Sequence, residues 1–304
     1  MNKKLIHDLI VGILIIFMIM YLLKILSHRN QHFSNSKKYN FLRNNKNKPI
    51  KNINDPISEM KKYNVIFAST VRNVSKYIKQ NLNHINNCGS KFNDYYVIIY
   101  ENDSKDNTRN ILLENKRPNY HYIFEDNIVE PIRTIRIANG RNKILEKIRE
   151  INNNNKYDYL IMLDLDDVNI SGNFVNTINT CFEYSNWDVL TGNQKDRYYD
   201  LWALRRKNDM DYDCWRMVND NLRTRNAARK FVFSKFKKYG VGDLLDVDSA
   251  FGGVAIYKLS SIPNECNYVG KYDDGGELCE HVEFNRCIKN SGKSIYINTS
   301  FLTN

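Results

Sequence analysis

From residue 64 onward, short apolar runs of strand length alternate with longer runs of helical spacing, and that alternation most restricts the fold. "NVIFAST" (64–70), "YYVIIYEND" (95–103) and "YLIMLDLDD" (159–167) are rich in apolar residues and end in polar ones. Between them lie "VSKYIKQNLNHI" (74–85) and "RNILLENK" (109–116), the second of which Asp106 to Thr108 can cap. "RTIRIANGRNKILEKIREI" (133–151) follows, with helical spacing of Ile135, Ile144, Leu145 and Ile148 and an expected interruption at Gly140. Strands alternating with helices predict an α/β body with a single Rossmann-like, mostly parallel sheet. Ligands of such sheets bind beyond the carboxyl ends of the strands. That rule places Arg72, the tip Glu101–Asp103 and the acids Asp164–Asp167 along one rim.

The run "YLIML" leads directly into Asp164, Asp166 and Asp167. Carboxylates this close repel one another unless a cation neutralises them or a proton is shared. D-x-D is weakly specific alone, since Asp209–Asp211, Asp211–Asp213 and Asp246–Asp248 repeat it. Only the 164/166 pair is delivered by a buried strand, on alternate residues where two carboxylates can hold a divalent cation through oxygen. An acidic strand-end turn, with Asp167 or Asn169 opening a loop, would read the same way.

Upstream of this body the chain changes character. Residues 1–8 form a short tail, and Leu9 to Leu26 is apolar except for Lys24, which lies close enough to the end to snorkel. The run is near the minimum length for crossing a bilayer. No small-residue cleavage site follows, so an uncleaved transmembrane anchor is expected over a signal peptide. Lys3 and Lys4 precede it, whereas Lys24, Arg29, Lys37, Lys38 and Arg43 follow, which by the positive-inside rule puts the body in the cytosol. A signal-anchored secretory enzyme needs the opposite, so the side stays open. Residues 27–60 read as a basic flexible stem, and 61–304 as the folded domain.

The net charge of +11 is concentrated in this arm. Residues 1–62 hold twelve Lys/Arg against three acids, leaving 33 basic and 31 acidic residues of the 45 and 34 in total for the rest. A nearly neutral body gives no support for nucleic-acid binding. The six cysteines contain no C-x-x-C pair, which disfavours zinc; free buried thiols and one or two disulfides both fit.

Two enzyme types fit the acidic strand end. "DLDDV" resembles the first motif of haloacid dehalogenase-type phosphohydrolases, and "KYDDGGE" (271–277) imitates their last acidic motif. That nucleophile belongs on the first strand of its sheet, however, and here at least two strands precede it. The broader resemblance is to nucleotide-sugar glycosyltransferases of the GT-A type. "YENDSKDNTRNILLE" (100–114) looks like the segment after their second strand, and "RIANGRNKIL" (136–145) resembles the Arg-Asn helix before the D-x-D in the fungal capsule-associated mannosyltransferases. "YYDLWALR" (198–205), "DSAFGGVAIYK" (248–258) and "GELCEHVEFN" (276–285) follow in that family's order, so the resemblance spans about residues 64 to 300.

The resemblance implies a GT-A domain that transfers a sugar from a nucleotide-sugar donor to a hydroxyl acceptor, using Mn²⁺ or Mg²⁺ to offset charge on the diphosphate leaving group. It makes Asp166 the main metal ligand, with Asp164 contacting ribose or a metal-bound water and His281 a late metal or phosphate contact. Glu280, with Glu277 as runner-up, is the candidate base for an inverting transfer; a retaining transfer, at which the mannosyltransferase resemblance hints, needs no such base. Asp248 is a candidate contact to donor sugar or acceptor. Arg72, Arg141 and Asn142 are candidate nucleotide contacts, because guanidinium forks suit phosphate oxygens. Glu101 and Asp103 are candidates for ribose or base. Trp202 and Tyr199 are candidates for stacking on sugar, although buried aromatics are the default.

Four sequons (Asn73, Asn102, Asn169 and Asn298) bear on compartment, since three fall at the expected rim, where a glycan would block the donor. The expectation is a membrane-anchored, metal-dependent glycosyltransferase in an endomembrane (Golgi- or ER-like) or a virus or host membrane. A catalytically inactive sugar-binding domain is the non-enzyme alternative.

Overall fold

The computed structural model describes residues 48–170, 173–195, 198–207, 210–219 and 242–303. The expected anchor at 9–26 lies outside the described residues, and among those described no helix is long and apolar enough to cross a membrane. In chain order the elements are β1 (Ile50–Lys51), α1 (Pro56–Met60), β2 (Asn64–Val71), α2 (Ser75–Gly89), β3 (Asp94–Asn102), α3 (Thr108–Glu114) and β4 (Tyr120–Glu125). Then come α4 (Arg133–Ile151), β5 (Tyr159–Leu163), α5 (Phe174–Asn179), β6 (Tyr184–Ser185), β7 (Val189–Gln194) and α6 (Cys214–Asn219). The last are β8 (Leu244–Asp246), β9 (Val254–Lys258), α7 (His281–Asn290) and β10 (Ile295–Thr303).

Eight of the described strands form one sheet in the order β4-β3-β2-β5-β9-β7-β10-β8. The pairs β4–β3, β3–β2, β2–β5 and β7–β10 are parallel; β9 runs antiparallel to both its neighbours, and β8 antiparallel to β10. The α/β expectation with a mostly parallel sheet therefore holds. Strands β2 to β4 build outward to one side, and β5 then starts on the other side of β2. The order reverses between β2 and β5, and the crevice at such a switch point is where ligands bind.

The period-2 pattern of the strands explains the layers. In β2 and β5, Val65, Phe67, Tyr159, Ile161 and Leu163 face one buried cluster, while Ile66, Ala68, Leu160 and Met162 face the other. The first face is covered by Ile78, Leu82 and Ile85 of α2 with Phe174 and Ile178 of α5. The second is covered by Ala138, Ile144, Leu145 and Ile148 of α4 with Val282, Phe284 and Ile288 of α7. Each of the larger aliphatic and aromatic side chains among these, fully buried, stabilises the fold by roughly 1.5–3 kcal/mol.

Three features differ from the sequence reading. The helix Arg133–Ile151 runs unbroken through Gly140, whose missing Cβ admits the Tyr100 ring, 2.6 Å from where that carbon would sit. The strand β4 was not expected, so the acidic strand is the fourth of the large sheet in chain order, further still from the first-strand position a dehalogenase-type nucleophile needs. The body also begins before residue 61. Ile50 and Lys51 pair with Ser185 and Tyr184, Asp55 accepts from the Ser58 N–H at 3.0 Å to cap α1, and Met60 is fully buried.

Candidate active site at the sheet switch point

Asp164 and Asp166 follow β5 directly, at the carboxyl edge of the sheet. In the parallel pairing Ala68 is level with Met162 and Val71 with Glu101, so Asp164, Arg72 and the 101–103 tip share that edge as the sequence suggested. The strand end is anchored from beneath. The Asp164 N–H donates to the Gly253 carbonyl at 2.9 Å, and the side-chain amide of the buried Asn169 donates to the carbonyls of both Asp164 (2.9 Å) and Gly253 (2.8 Å). The Asn81 amide holds the Asp166 carbonyl at 3.0 Å, and Asp166 caps the following 3-10 turn by accepting from the Val168 N–H at 3.1 Å.

The glycines of "FGG" are required here. Gly252 and Gly253 have φ of +70° and +84°, and a Cβ on Gly252 would lie 2.4 Å from the Gly192 carbonyl oxygen. The turn they form brings the backbone under Asp164. Asp200, which lies within "YYDLWALR" and carries no sequence signal of a role, accepts from the Gly252 N–H at 3.1 Å.

Arg141 sits at the centre of the site. Its Nη2 is 3.2 Å from Asp164 Oδ1 and its Nη1 is 3.2 Å from Glu280 Oε1. Its guanidinium lies against the rings of Phe251 and Tyr268, at 4.9 and 5.6 Å from their centroids. Nη1 also meets the imidazole of His281, at 3.2 Å from Nδ1 and closer still to Nε2. His281 is buried at the start of α7 and stacked on Phe251. Burial, with Arg141 beside it, holds its pKa well below the ordinary 6.5, so the ring is neutral. The imidazole thus faces a guanidinium, and a metal bound to it would have to displace Arg141.

The carboxylates around Arg141 outnumber the one guanidinium they surround. Burial pushes the Asp164 pKa from the ordinary 3.8 to about 7; Arg141 pulls it down, while Asp166, Glu280 and Asp200 push it further up. Burial also raises Asp166, and raises Asp200 to about 6. A site that strains to keep its acids ionised is one that a divalent cation would relieve. No group of three or more His, Cys, Asp or Glu side chains with metal-holding geometry occurs among the described residues. Two carboxylates completed by substrate oxygens and water suit Mg²⁺ or Mn²⁺, which are commonly bound that way.

Glu101 is fully buried, with Oε1 accepting from the Ser104 N–H (2.8 Å) and Oε2 paired with Arg109 Nε (2.5 Å). Asp103, at φ +48°, accepts from the N–H groups of Asn127 (2.7 Å) and Ile128 (3.1 Å), and the Ile128 bond chiefly lowers its pKa. Both acids therefore staple loops at the rim. Asn142 clamps Tyr268 through its main chain, accepting from N–H at 2.7 Å and donating to C=O at 2.9 Å. Arg72 is exposed at the end of β2. Glu277 is exposed and accepts from the Thr134 hydroxyl at 3.3 Å, and Asp248 accepts from the Lys207 N–H at 2.5 Å. Tyr199 is exposed, whereas Trp202 donates to Asp213 at 3.1 Å. Arg141, Asp164, Glu280 and His281 are thus brought into one cluster, and Glu101, Asp103, Asn142, Glu277 and Asp248 have other partners.

A disulfide joins Cys266 to Cys287, and Cys88, Cys181, Cys214 and Cys279 are free and buried. The bridge ties the loop carrying Tyr268 to α7, which carries His281. Of the four sequons, Asn102, Asn169 and Asn298 are buried and unable to carry a glycan in the folded chain, which leaves Asn73 exposed.

No protein-family model matches the sequence, and no curated protein does. Among solved structures the chain is similar to S. aureus TarS 1-349, with TM-score 0.42 and 13% identity over 79% of this chain and 59% of that one. It is similar to the mannosyltransferase PcManGT from Pyrobaculum calidifontis in complex with GDP-Man and Mn²⁺, with TM-score 0.46 and 11% identity over 91% of this chain and 66% of that one. It is also similar to glucosyl-3-phosphoglycerate synthase from Mycobacterium tuberculosis in complex with uridine-diphosphate, with TM-score 0.42 and 10% identity over 80% of this chain and 73% of that one. The chain spans less than two thirds of the length of the first two. Likeness of this degree assigns no activity.

Proposed function

We propose that the chain is a GT-A type glycosyltransferase that moves a sugar from a nucleotide-sugar donor to a hydroxyl on a glycan, protein or lipid acceptor, with Mn²⁺ or Mg²⁺ held by Asp164 and Asp166. The observation that carries this reading is the delivery of both acids by β5 to the switch point of the sheet, into a cluster where Asp164 and Glu280 share the one guanidinium of Arg141 while Asp166 and Asp200 add further negative charge. The ordered motifs from residue 64 to about 300 support the same reading. The mannosyltransferase resemblance puts mannosyl donors first among those to test.

When bound, the cation would offset the charge that develops on the diphosphate as the bond to the sugar breaks. The chain's own residues do the rest. Asn169, Asn81 and the glycine turn fix the strand end that presents the two acids. An inverting transfer needs a base for the acceptor hydroxyl, and Glu280 is the candidate that shares a cluster with Asp164 through Arg141. Tyr199, exposed at the same edge, is the candidate for stacking on a sugar. The apolar run 9–26 extends the proposal to a membrane-anchored enzyme.

The test is a thermal-shift screen of the full-length chain against a panel of nucleotide sugars, with Mn²⁺ and with chelator. A true donor binds the folded state and raises its stability, by about 2.7 kcal/mol at a hundred times its Kd. The proposal expects one donor class to do so only with the cation present. Binding of donor and cation without turnover on a broad acceptor panel would indicate the inactive sugar-binding alternative.

A further inference from the structure

Arg141 is held through both terminal nitrogens, Nη2 at Asp164 and Nη1 at Glu280, while its Nε is buried without a hydrogen-bond partner. Its side chain is only 4% exposed. Phe251, which lies against it, is itself stacked on His281, and Tyr268, also against it, is stacked on Phe284 at 4.1 Å. Asn142, the next residue of α4, clamps the Tyr268 main chain, and the disulfide ties that loop to α7. A guanidinium enclosed in this way cannot swing out to a phosphate at the rim without dismantling its own cage.

The planar fork of arginine holds two separate nitrogens in a fixed geometry, one for each acid, which the single ammonium nitrogen of a lysine does not reproduce. Here it meets Asp164 from α4 across to β5, and Glu280 at the start of α7. We infer that Arg141 is a positioning residue, the shared counter-ion that fixes Glu280 relative to Asp164, and not a contact to the donor's phosphates. The inference rests on the metal reading of Asp164 given above. A cation arriving at Asp164 competes with Arg141 for the same carboxylate. If Glu280 loses its charge, Arg141 belongs wholly to Asp164 and the cation binds less well. By linkage the dependence runs both ways, so cation binding and the placement of Glu280 are coupled through one side chain.

The experiment is Mn²⁺ binding by titration calorimetry to the full-length wild type, Glu280→Gln, Arg141→Lys and the double variant. Glu280→Gln is expected to weaken Mn²⁺ binding roughly fivefold or more with Arg141 present, and distinctly less in the Arg141→Lys background, where no fork spans the two acids. Equal factors in the two backgrounds overturn the inference and leave the proposed function standing. A wild type that binds neither Mn²⁺ nor Mg²⁺ overturns both. Turnover gives a second reading: Arg141→Lys is expected to lower kcat at nearly unchanged donor KM, whereas a raised KM at unchanged kcat is the behaviour of a phosphate contact and overturns it. Should Arg141→Lys fail to fold, urea midpoints of Asp164→Asn, Glu280→Gln and their double variant replace the cycle. Non-additive shifts support the shared counter-ion, and additive shifts overturn it.

Discussion

Asn169 holds Asp164 in place by donating from its side-chain amide to the Asp164 carbonyl at 2.9 Å, with the Gly253 carbonyl taken by the same amide at 2.8 Å. Two neighbouring chain segments, the acidic strand end and the glycine turn, are thereby joined through one buried side chain. Replacing Asn169 by Ala removes the side-chain donor from the Asp164 carbonyl and leaves the Gly253 carbonyl with the Asp164 N–H alone, and is expected to cost roughly 1–3 kcal/mol. Asn169→Asp, which has the same shape but only acceptors when ionised, is expected to cost more. Urea unfolding of the two variants checks the order; equal stability of Asn169→Asp and wild type would contradict it.

Gly252 and Gly275 both have positive φ, +70° and +85°, but differ in their surroundings. A Cβ on Gly252 would lie 2.4 Å from the Gly192 carbonyl oxygen, whereas one on Gly275 has nothing within 4 Å. Gly275→Ala is therefore expected to cost only backbone strain, about 1–2 kcal/mol, and Gly252→Ala clearly more because backbone must move. The difference between their urea midpoints measures the close approach itself.

The metal-free chain has an unusual pH dependence written into its acids. Asp164 and Asp200 have folded-state pKa values raised from 3.8 to about 7 and about 6. A raised value means the folded state holds the proton more tightly than the unfolded one. Their contribution is therefore fully present below about pH 4 and is lost as pH rises through 6 to 7. In chelator, Tm is expected to rise as pH falls from 8 toward 5, and Asp164→Asn is expected to flatten that slope. Saturating Mn²⁺ is expected to oppose it, because the cation favours the ionised acids. A slope of the opposite sign in wild type would contradict the assigned environment of these groups.

Much of this arrangement was legible in the sequence where one face of one element decides it. The ends of the helix Arg133–Ile151 are legible in the spacing of Ile135, Ile144, Leu145 and Ile148, whereas its continuity through Gly140 depends on the Tyr100 ring that fills the space of the missing Cβ. The buried run ending at Leu163 identified the acidic edge. The strand Tyr120–Glu125 was missed because "YHYIFE" is an edge strand with no continuous apolar run, and its pairing with β3 is invisible locally. Likewise "IYINTSFLT" carries polar residues whose partners lie more than a hundred positions away.

Partners also explain why the site candidates divided. Acids at a strand end look alike in sequence, yet Arg109 engages Glu101 while Arg141 bridges Asp164 to Glu280. Sequence cannot distinguish an arginine enclosed by Phe251 and Tyr268 from one offered to a phosphate, because the enclosing residues are over a hundred positions distant. Asp200 escaped notice for a related reason. It lies in an aperiodic loop, and its environment is made by Gly252 and Asp164.

The most direct test of the central claim is sugar transfer or donor hydrolysis by the full-length chain in Mn²⁺, measured beside Asp166→Ala. Loss of one metal carboxylate is expected to lower turnover by roughly a hundredfold or more, in the range that removal of a charge-stabilising group costs. Chelation should abolish the wild-type rate, and Mn²⁺ should restore it. An Asp166→Ala variant that folds and turns over at the wild-type rate would contradict the account.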